Sequence, residues 1–372
     1  MGAFSHAILP RLLTLPDLEA MTPMQPAGEP GRPTIVISGS LAFDYIMTFP
    51  GSFQDHIIPD KAHVLSVSFL FDSLRRYRGG VAGNIAYNFA LLGERPALVG
   101  AGGSDFGDYR SFFDSLGIDT ARIVDVPEEL TGSAFMSADL AGNQIAGFYP
   151  GASFAAAQLS VLDVGRGAVF GMVGATTREA MQRHAREFAE SGCRLIYDPS
   201  QQVVSLAADE LREGFDQAWG VIGSDYEMAV IEQKTGLTVS DLVARVPFVG
   251  VTFAAHGSEL HFEGQHVKIP AVAAEPLIEP TGGGDAYRAG VFKGLALGLP
   301  LEIAGRMGSV AATYAVERHG SQEHAYTPAE FVDRFESAFP EYAGAIGVEW
   351  LRCSVDRDQA ERRLSSRPVK GD

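Results

Sequence analysis

Short β-branched runs and amphipathic segments alternate along this chain, and that alternation leaves very few folds open to it. TIVISGS (34–40), PALVGA (96–101), AVFGMV (168–173), RLIYDPS (194–200), WGVIGSD (219–225) and FVGVTF (248–253) read as buried strands. Between them GNIAYNFALLG (83–93), FGDYRSFFDSLG (106–117), TTREAMQRHAREFAESG (176–192) and EMAVIEQKTG (227–236) read as helices, and long helices follow positions 284 and 300. Strands in turn with helices predict an open, mostly parallel sheet covered on both faces. Two stretches break the pattern. Residues 44–77 hold no convincing amphipathic helix, and TGSAFMSADLAGNQIAGFYP (131–150) reads as a hairpin turning around 140–143. Both are expected to form a small β appendage over the carboxyl edge of the sheet, where open α/β sheets bind ligands.

Two glycine clusters open helices. In TGGGD (281–285), Gly282, Gly283 and Gly284 can turn successive N–H groups toward one point, at the positive end of a helix. That is a site for an anion. An acid there makes sense only if Asp285 works beside the anion rather than on it. In RGGVAGN (78–84) the glycines let backbone approach a ligand, and Asn84 offers one acceptor and two donors in the first turn. Alone, RGGVAGN is explained as well by a tight turn with an Asn cap, and TGGGD less well by a loop with a capping Asp. As a pair they are far more specific.

Composition narrows the partners. With 372 residues and 46% apolar content the chain can bury a full core. A formal charge of −17 argues against nucleic acid and anionic membrane, so an anionic substrate needs local help from amides, arginines or a cation. Cys193 and Cys353 fit no metal or redox spacing and point to a reducing cytoplasm. No apolar run reaches transmembrane length, and the broken opening MGAFSHAILPRLLTLPDLEA lacks the core of a signal peptide. Residues 1–33 read as a flexible extension and 353–372 as a charged tail. No Walker loop, G-x-G-x-x-G, G-x-S-x-G or H-E-x-x-H occurs.

RGGVAGNIAYNFALLG and PTGGGDAYRAGV together resemble the two signatures of the ribokinase-like (PfkB) family of sugar and nucleoside kinases. SGSLAFDYIMTFPG (38–51), LSVSFLFDSLRRYRGGVAGN (65–84), FYPGA (148–152) and DPSQQ (198–202) resemble its bacterial adenosine kinase branch. The resemblance implies a three-layer α/β/α sandwich over 34–352, with a β lid from about 44–77 and 131–150. It implies an ATP- and Mg2+-dependent kinase of adenosine, with potassium as a further cation and a homodimer through the lid. By this likeness Asp285 is the base and Gly282, Gly283 and Gly284 form the anion hole. Asp44, Gly80 and Asn84 take the ribose hydroxyls, with Ser40 at the same first strand; Phe148, Gln201 and Gln202 lie near the purine. Ser224, Thr252 and Gly257 belong to the nucleotide side, and Glu227 ends the element that organises magnesium. Three positions depart from the family: Ser224 replaces Asn, Glu279 replaces Asp, and Ala254 replaces the first glycine of the loop TFAAHG (252–257).

The chemistry of the residues agrees. Phosphoryl transfer asks for alignment and for donors aimed at developing charge. Amides 282–285 supply the donors, and Asp285 can take the proton of an attacking hydroxyl, the helix end keeping it ionised. Asp44 by itself reads as a solvated loop acid. Arg288 reads equally as a phosphate contact or a surface ion pair, and Phe148 and Tyr149 as lid packing or a stacking platform. The rival readings are a sugar kinase on the same fold and a nucleoside-binding protein without catalysis.

Overall fold

A computed structural model describes residues 34–56, 67–141 and 143–352. The expected extension at 1–33 and tail at 353–372 lie outside the described residues.

The strands in chain order are β1 Ile35–Ser38, β2 Ala42–Phe49, β3 Ser73–Gly79, β4 Ala97–Gly103, β5 Asp119–Val126, β6 Gly132–Asp139 and β7 Gln144–Tyr149. They continue with β8 Phe170–Val173, β9 Arg194–Tyr197, β10 Gly220–Ser224, β11 Phe248–Thr252, β12 Ser258–Phe262 and β13 Gln265–Ile269. Nine of them form the central sheet in the order β13-β12-β11-β10-β9-β8-β1-β4-β5. From β5 to β11 every pairing is parallel; the β11–β12 and β12–β13 pairings are antiparallel. The α/β sandwich with a mostly parallel sheet and a small β lid is therefore as expected.

Period-two alternation explains the layers. Ile35, Ile37, Leu98, Phe170, Met172, Ile222 and Phe248 share one apolar cluster, which is completed by helices α1 Val81–Leu91, α2 Gly107–Ser115, α8 Gly283–Ala296, α9 Leu301–Val316 and α10 Pro328–Ala338. The intervening Val36, Ala97, Val99, Val173, Val221 and Val249 face the other cluster. There α3 Leu162–Gly165, α4 Arg178–Ser191, α5 Ala208–Gln217, α6 Asp225–Thr235 and α7 Val239–Val243 supply Val164, Met181, Phe188, Leu211, Phe215, Ile231 and Leu242.

The sequence reading passes over β5, α5, α10 and the β12–β13 hairpin. The hairpin escapes it because its outward face is polar and its turn is Glu263–Gly264, both at positive φ, rather than an Asn-Gly pair.

The four remaining strands form the lid, ordered β3-β2-β6-β7. Its inner pair β2–β6 is parallel and both flanking pairs are antiparallel. All four cross into the core at one end of the lid, where Ala42 pairs with both Gly79 and Gly132, and Ser133 pairs with Tyr149. At the other end Phe49, Phe53, Phe69 and Phe71 pack ring on ring, with Phe49–Phe53 centroids 5.3 Å apart.

Candidate active site

Register brings the carboxyl ends of the central strands into one row. Ser38 of β1 stands beside Val99 of β4 and Val173 of β8, Val173 beside Tyr197 of β9, and Ser224 of β10 beside Thr252 of β11. The winding reverses at β1, with β8 on one side and β4 on the other, which opens a crevice above it. The turn into α1 closes there: the Ser40 hydroxyl accepts the Val81 N–H at 3.0 Å and the Ser40 carbonyl accepts the Ala82 N–H at 3.1 Å. Gly80 takes φ 87 to make this turn, and a Cβ on it would lie 2.5 Å from the Ser40 carbonyl oxygen. Ser40 thus holds the glycine turn in place.

The start of α8 has open donors. Gly282 enters in the left-handed region at φ 83, with Ser321 so close that a Cβ would lie 2.5 Å from the serine Cβ. The Gly283 N–H reaches the Pro280 carbonyl only at 3.3 Å, and among the described residues the N–H groups of Gly284 and Asp285 have no acceptor. Gly284 is exposed. Unpaired amides on a first turn fit an anion.

Asp285 meets Asn84 at these two helix starts: Asn84 Nδ2 donates to Asp285 Oδ2 at 2.9 Å. The Asn84 carbonyl oxygen accepts from Ser321 Oγ at 2.8 Å and from Gln322 Nε2 at 2.9 Å. Contrary to expectation the helix end does not hold the Asp285 carboxyl low. It is pushed up to about 7, first by burial, with the Arg288 guanidinium and Asn84 pulling down and Asp198 and Glu227 pushing up. Burial disfavours the charged form of a carboxyl. Arg288 is not the surface ion pair of the second reading. It is buried in an ion pair with Asp198, Nε to Oδ2 2.5 Å and Nη2 to Oδ1 2.9 Å, with Glu227 Oε2 3.9 Å away.

The lid contributes one row of side chains. Asp44 lies opposite Tyr77 on one side and Ala134 on the other, and Ala134 lies opposite Phe148. Directly opposed residues point the same way, so Asp44 and Phe148 share one face of the lid, two strands or roughly 10 Å apart. Asp44 is not a solvated acid. It is 8% exposed, its carboxylate has no hydrogen-bond partner among the described residues, and burial, then Glu279 and Asp285, push it up to about 7. Phe148 is 54% exposed, so it does not serve as packing for the hairpin.

The nucleotide-side residues fall at the ends of β10 and β11. Ser224 caps α6: its hydroxyl accepts the Glu227 N–H at 3.2 Å, and Glu227 Oε2 accepts the Ser224 N–H at 2.7 Å. Serine therefore does an N-cap's work where the resemblance has Asn. Past Thr252, Ala254 takes φ 48, a left-handed value that costs a non-glycine residue about 1 kcal/mol. Gly257 closes that loop at φ 92, with the Phe253 N–H on its carbonyl at 2.8 Å. Glu279 Oε2 accepts the Gly320 N–H at 3.2 Å.

The DPSQQ loop follows β9 at the carboxyl edge of the sheet. Gln201 is exposed, and the Gln202 amide is already engaged, donating to the Thr176 carbonyl at 2.8 Å and accepting from Ser205 Oγ. Sequence reasoning also gave no role to Asp198, Tyr109, Ser321 or Gln322. The last two follow α9 in a stretch without periodicity, and their signal is only that polar residues there are buried. Apart from these loops, Glu259, His261 and His266 on β12–β13 hold ligand atoms within 4.8 Å of one another, with Lys268 Nζ 2.8 Å from Glu259.

The family model of pfkB carbohydrate kinases matches residues 44–328. A nucleoside kinase of Methanothermobacter thermautotrophicus is 31% identical over 303 residues, 80% of this chain and 94% of that one. The structure of Burkholderia thailandensis nucleoside kinase in complex with inosine is similar with a TM-score of 0.75 and 34% identity, covering 82% of this chain and 98% of that chain. That of Methanocaldococcus jannaschii nucleoside kinase is similar with a TM-score of 0.73 and 25% identity, covering 82% and 100%.

Proposed function

The chain belongs to the pfkB family of carbohydrate kinases, and within it we propose that it moves the γ-phosphoryl group of ATP onto the 5′-hydroxyl of a purine nucleoside, with adenosine giving AMP and ADP. The observation that carries this reading is one constellation. A carboxyl bonded to Asn84 stands beside unpaired amides at a helix start, under a lid row that runs from Asp44 to Phe148. Two relatives named nucleoside kinases, and a third bound to inosine, support the nucleoside over the free sugar.

Each residue then has a task. The amides of Gly284 and Asp285 receive phosphate oxygens at the positive end of α8 and stabilise charge as it develops. Asp285, once ionised, takes the proton of the 5′-hydroxyl. Asp44, without a partner of its own, accepts from the ribose hydroxyls, and Phe148 offers a stacking face at the distance of the base. Glu227, at the capping box beside Arg288, fits the magnesium side, where the ion supplies positive charge to the phosphates. The Gln202 amide is held by Thr176 and Ser205 and keeps one N–H and one lone pair, so it can offer either purine a hydrogen bond. Adenosine and inosine should therefore differ by less than about tenfold in kcat/KM, the scale of one missing hydrogen bond.

ADP release with adenosine, inosine, ribose, fructose and no acceptor tests this. A nucleoside is expected to be the best acceptor. Ribose or fructose as the better substrate would replace this reading with the sugar kinase, and no stimulation by any acceptor would leave a binding protein.

A further inference from the structure

We propose that Gln322 is a positioning residue: it fixes which end of the Asn84 amide faces Asp285, and the backbone carbonyl of Gly79 dictates the direction. An asparagine amide has nearly the same shape either way round. With Nδ2 toward Asp285 it attracts the carboxylate; turned over, it sets oxygen against oxygen. A carbonyl can only accept, so at Gly79 the Tyr109 hydroxyl must spend its single proton, at 3.0 Å. The Tyr109 oxygen is left as an acceptor and takes an N–H from Gln322 Nε2. The same NH2 group gives its other hydrogen to Asn84 Oδ1 at 2.9 Å, joined there by Ser321 Oγ at 2.8 Å. Only Nδ2 then remains for Asp285, at 2.9 Å. Asn84, Ser321 and Gln322 are buried, and Tyr109 is 1% exposed, so water is not at hand to reverse a link. The chain of donors runs from a main-chain carbonyl, which cannot flip, to the carboxyl of Asp285.

The proposal rests on the kinase reading only for its effect on turnover; the orientation belongs to the protein without substrate. The other charged groups that bear on Asp285 are Arg288 on its own helix, Asp198 after β9, Glu227 on α6 and Asp44 on the lid. None of these lies in the Gly79–Tyr109–Gln322–Asn84 chain.

Gln322→Glu makes the central link acceptor-only while keeping its size. With Tyr109 still held by the Gly79 carbonyl, the carboxylate takes its hydrogen from the Asn84 NH2, which turns away from Asp285. Gln322→Leu only deletes the link. The readout is titration of the Asp285 carboxyl by carbon-13 NMR in the protein without substrate, for both variants, each with and without Asn84→Ala. Gln322→Glu is expected to raise the Asp285 midpoint by roughly one pH unit more when Asn84 is present than when it is Ala, and Gln322→Leu by much less. Equal shifts in both backgrounds would mean that the added charge alone acts, and the proposal would fall. Should the Glu variant not fold, Tyr109→Phe frees Gln322 to turn over. It should raise the midpoint in the same direction with Asn84 present, and no shift would overturn the proposal. With an active acceptor, Gln322→Glu should lower kcat by about tenfold to a hundredfold with KM nearly constant. If no acceptor is phosphorylated, the kinase reading fails while the titration still decides this one.

Discussion

Asp285 and Asp44 are both pushed up to about 7, one on the core and one on the lid. For Asp285 this gives a rate prediction. The base must be ionised, so kcat/KM should rise with pH through an apparent midpoint near 7 and level off above it. Asp285→Asn should keep nucleoside binding, lower kcat by about two to four orders of magnitude and leave only the part of that limb that Asp44 carries. Near-normal turnover would remove Asp285 from the mechanism. For Asp44 the prediction concerns stability. In the unfolded chain it ionises near pH 4, roughly, so the fold binds more protons between that pH and about 7 and loses stability as pH rises across the window. Asp44→Asn should thus be more stable than the parent at pH 8, by roughly 1–3 kcal/mol, and nearly equal to it at pH 4. Urea melts at the two pH values decide it. At this scale Asp285, Asn84 and Asp44 were legible because glycines beside a polar residue at a helix start are chemically conspicuous. Ser321, Gln322 and Tyr109 were not, since each matters only through a partner far away in the chain.

Among the elements, α1 and α8 carry the site and are tied together away from it. Lys293 of α8 reaches Glu94, just past α1, at 2.7 Å, with both side chains fully buried. Lys293→Met should destabilise by about 3–5 kcal/mol, because it buries a carboxylate without its cation, and adding Glu94→Leu should recover much of the loss. Thermal unfolding of both variants measures this; a double variant no better than the single would argue against a charge effect. The parallel strands were readable because both faces are buried, which makes their runs continuously apolar. β5 and β12–β13 mix polar outer positions into short runs. β2 and β3 have the same difficulty, with LRR inside β3, so that half of the lid shows only as a gap in the helix pattern, whereas β6 and β7 are the hairpin read at 131–150.

At the scale of the molecule, a nine-stranded core presents a four-stranded flap over its crevice. Hydrogen exchange across 144–149 should slow when adenosine is added, and an unchanged rate would count against closure. β7 is an edge strand with every residue exposed, including Ile145, Phe148 and Tyr149, and such an edge invites pairing with a second copy. Sedimentation is expected to give a dimer that Ile145→Lys weakens. The lid's four crossings on one line have a mechanical consequence. The flap can rotate about that line, but it has little freedom to slide. Asp44 lies two residues from the line at Ala42, roughly 7 Å, and Phe49 seven residues, roughly 23 Å. Any swing therefore displaces the aromatic tip about three times as far as the carboxylate that would meet the sugar. The flap is a lever with its short arm in the crevice. A modest force at the tip arrives magnified at Asp44, so whatever grips those phenylalanines has a mechanical advantage over the ligand.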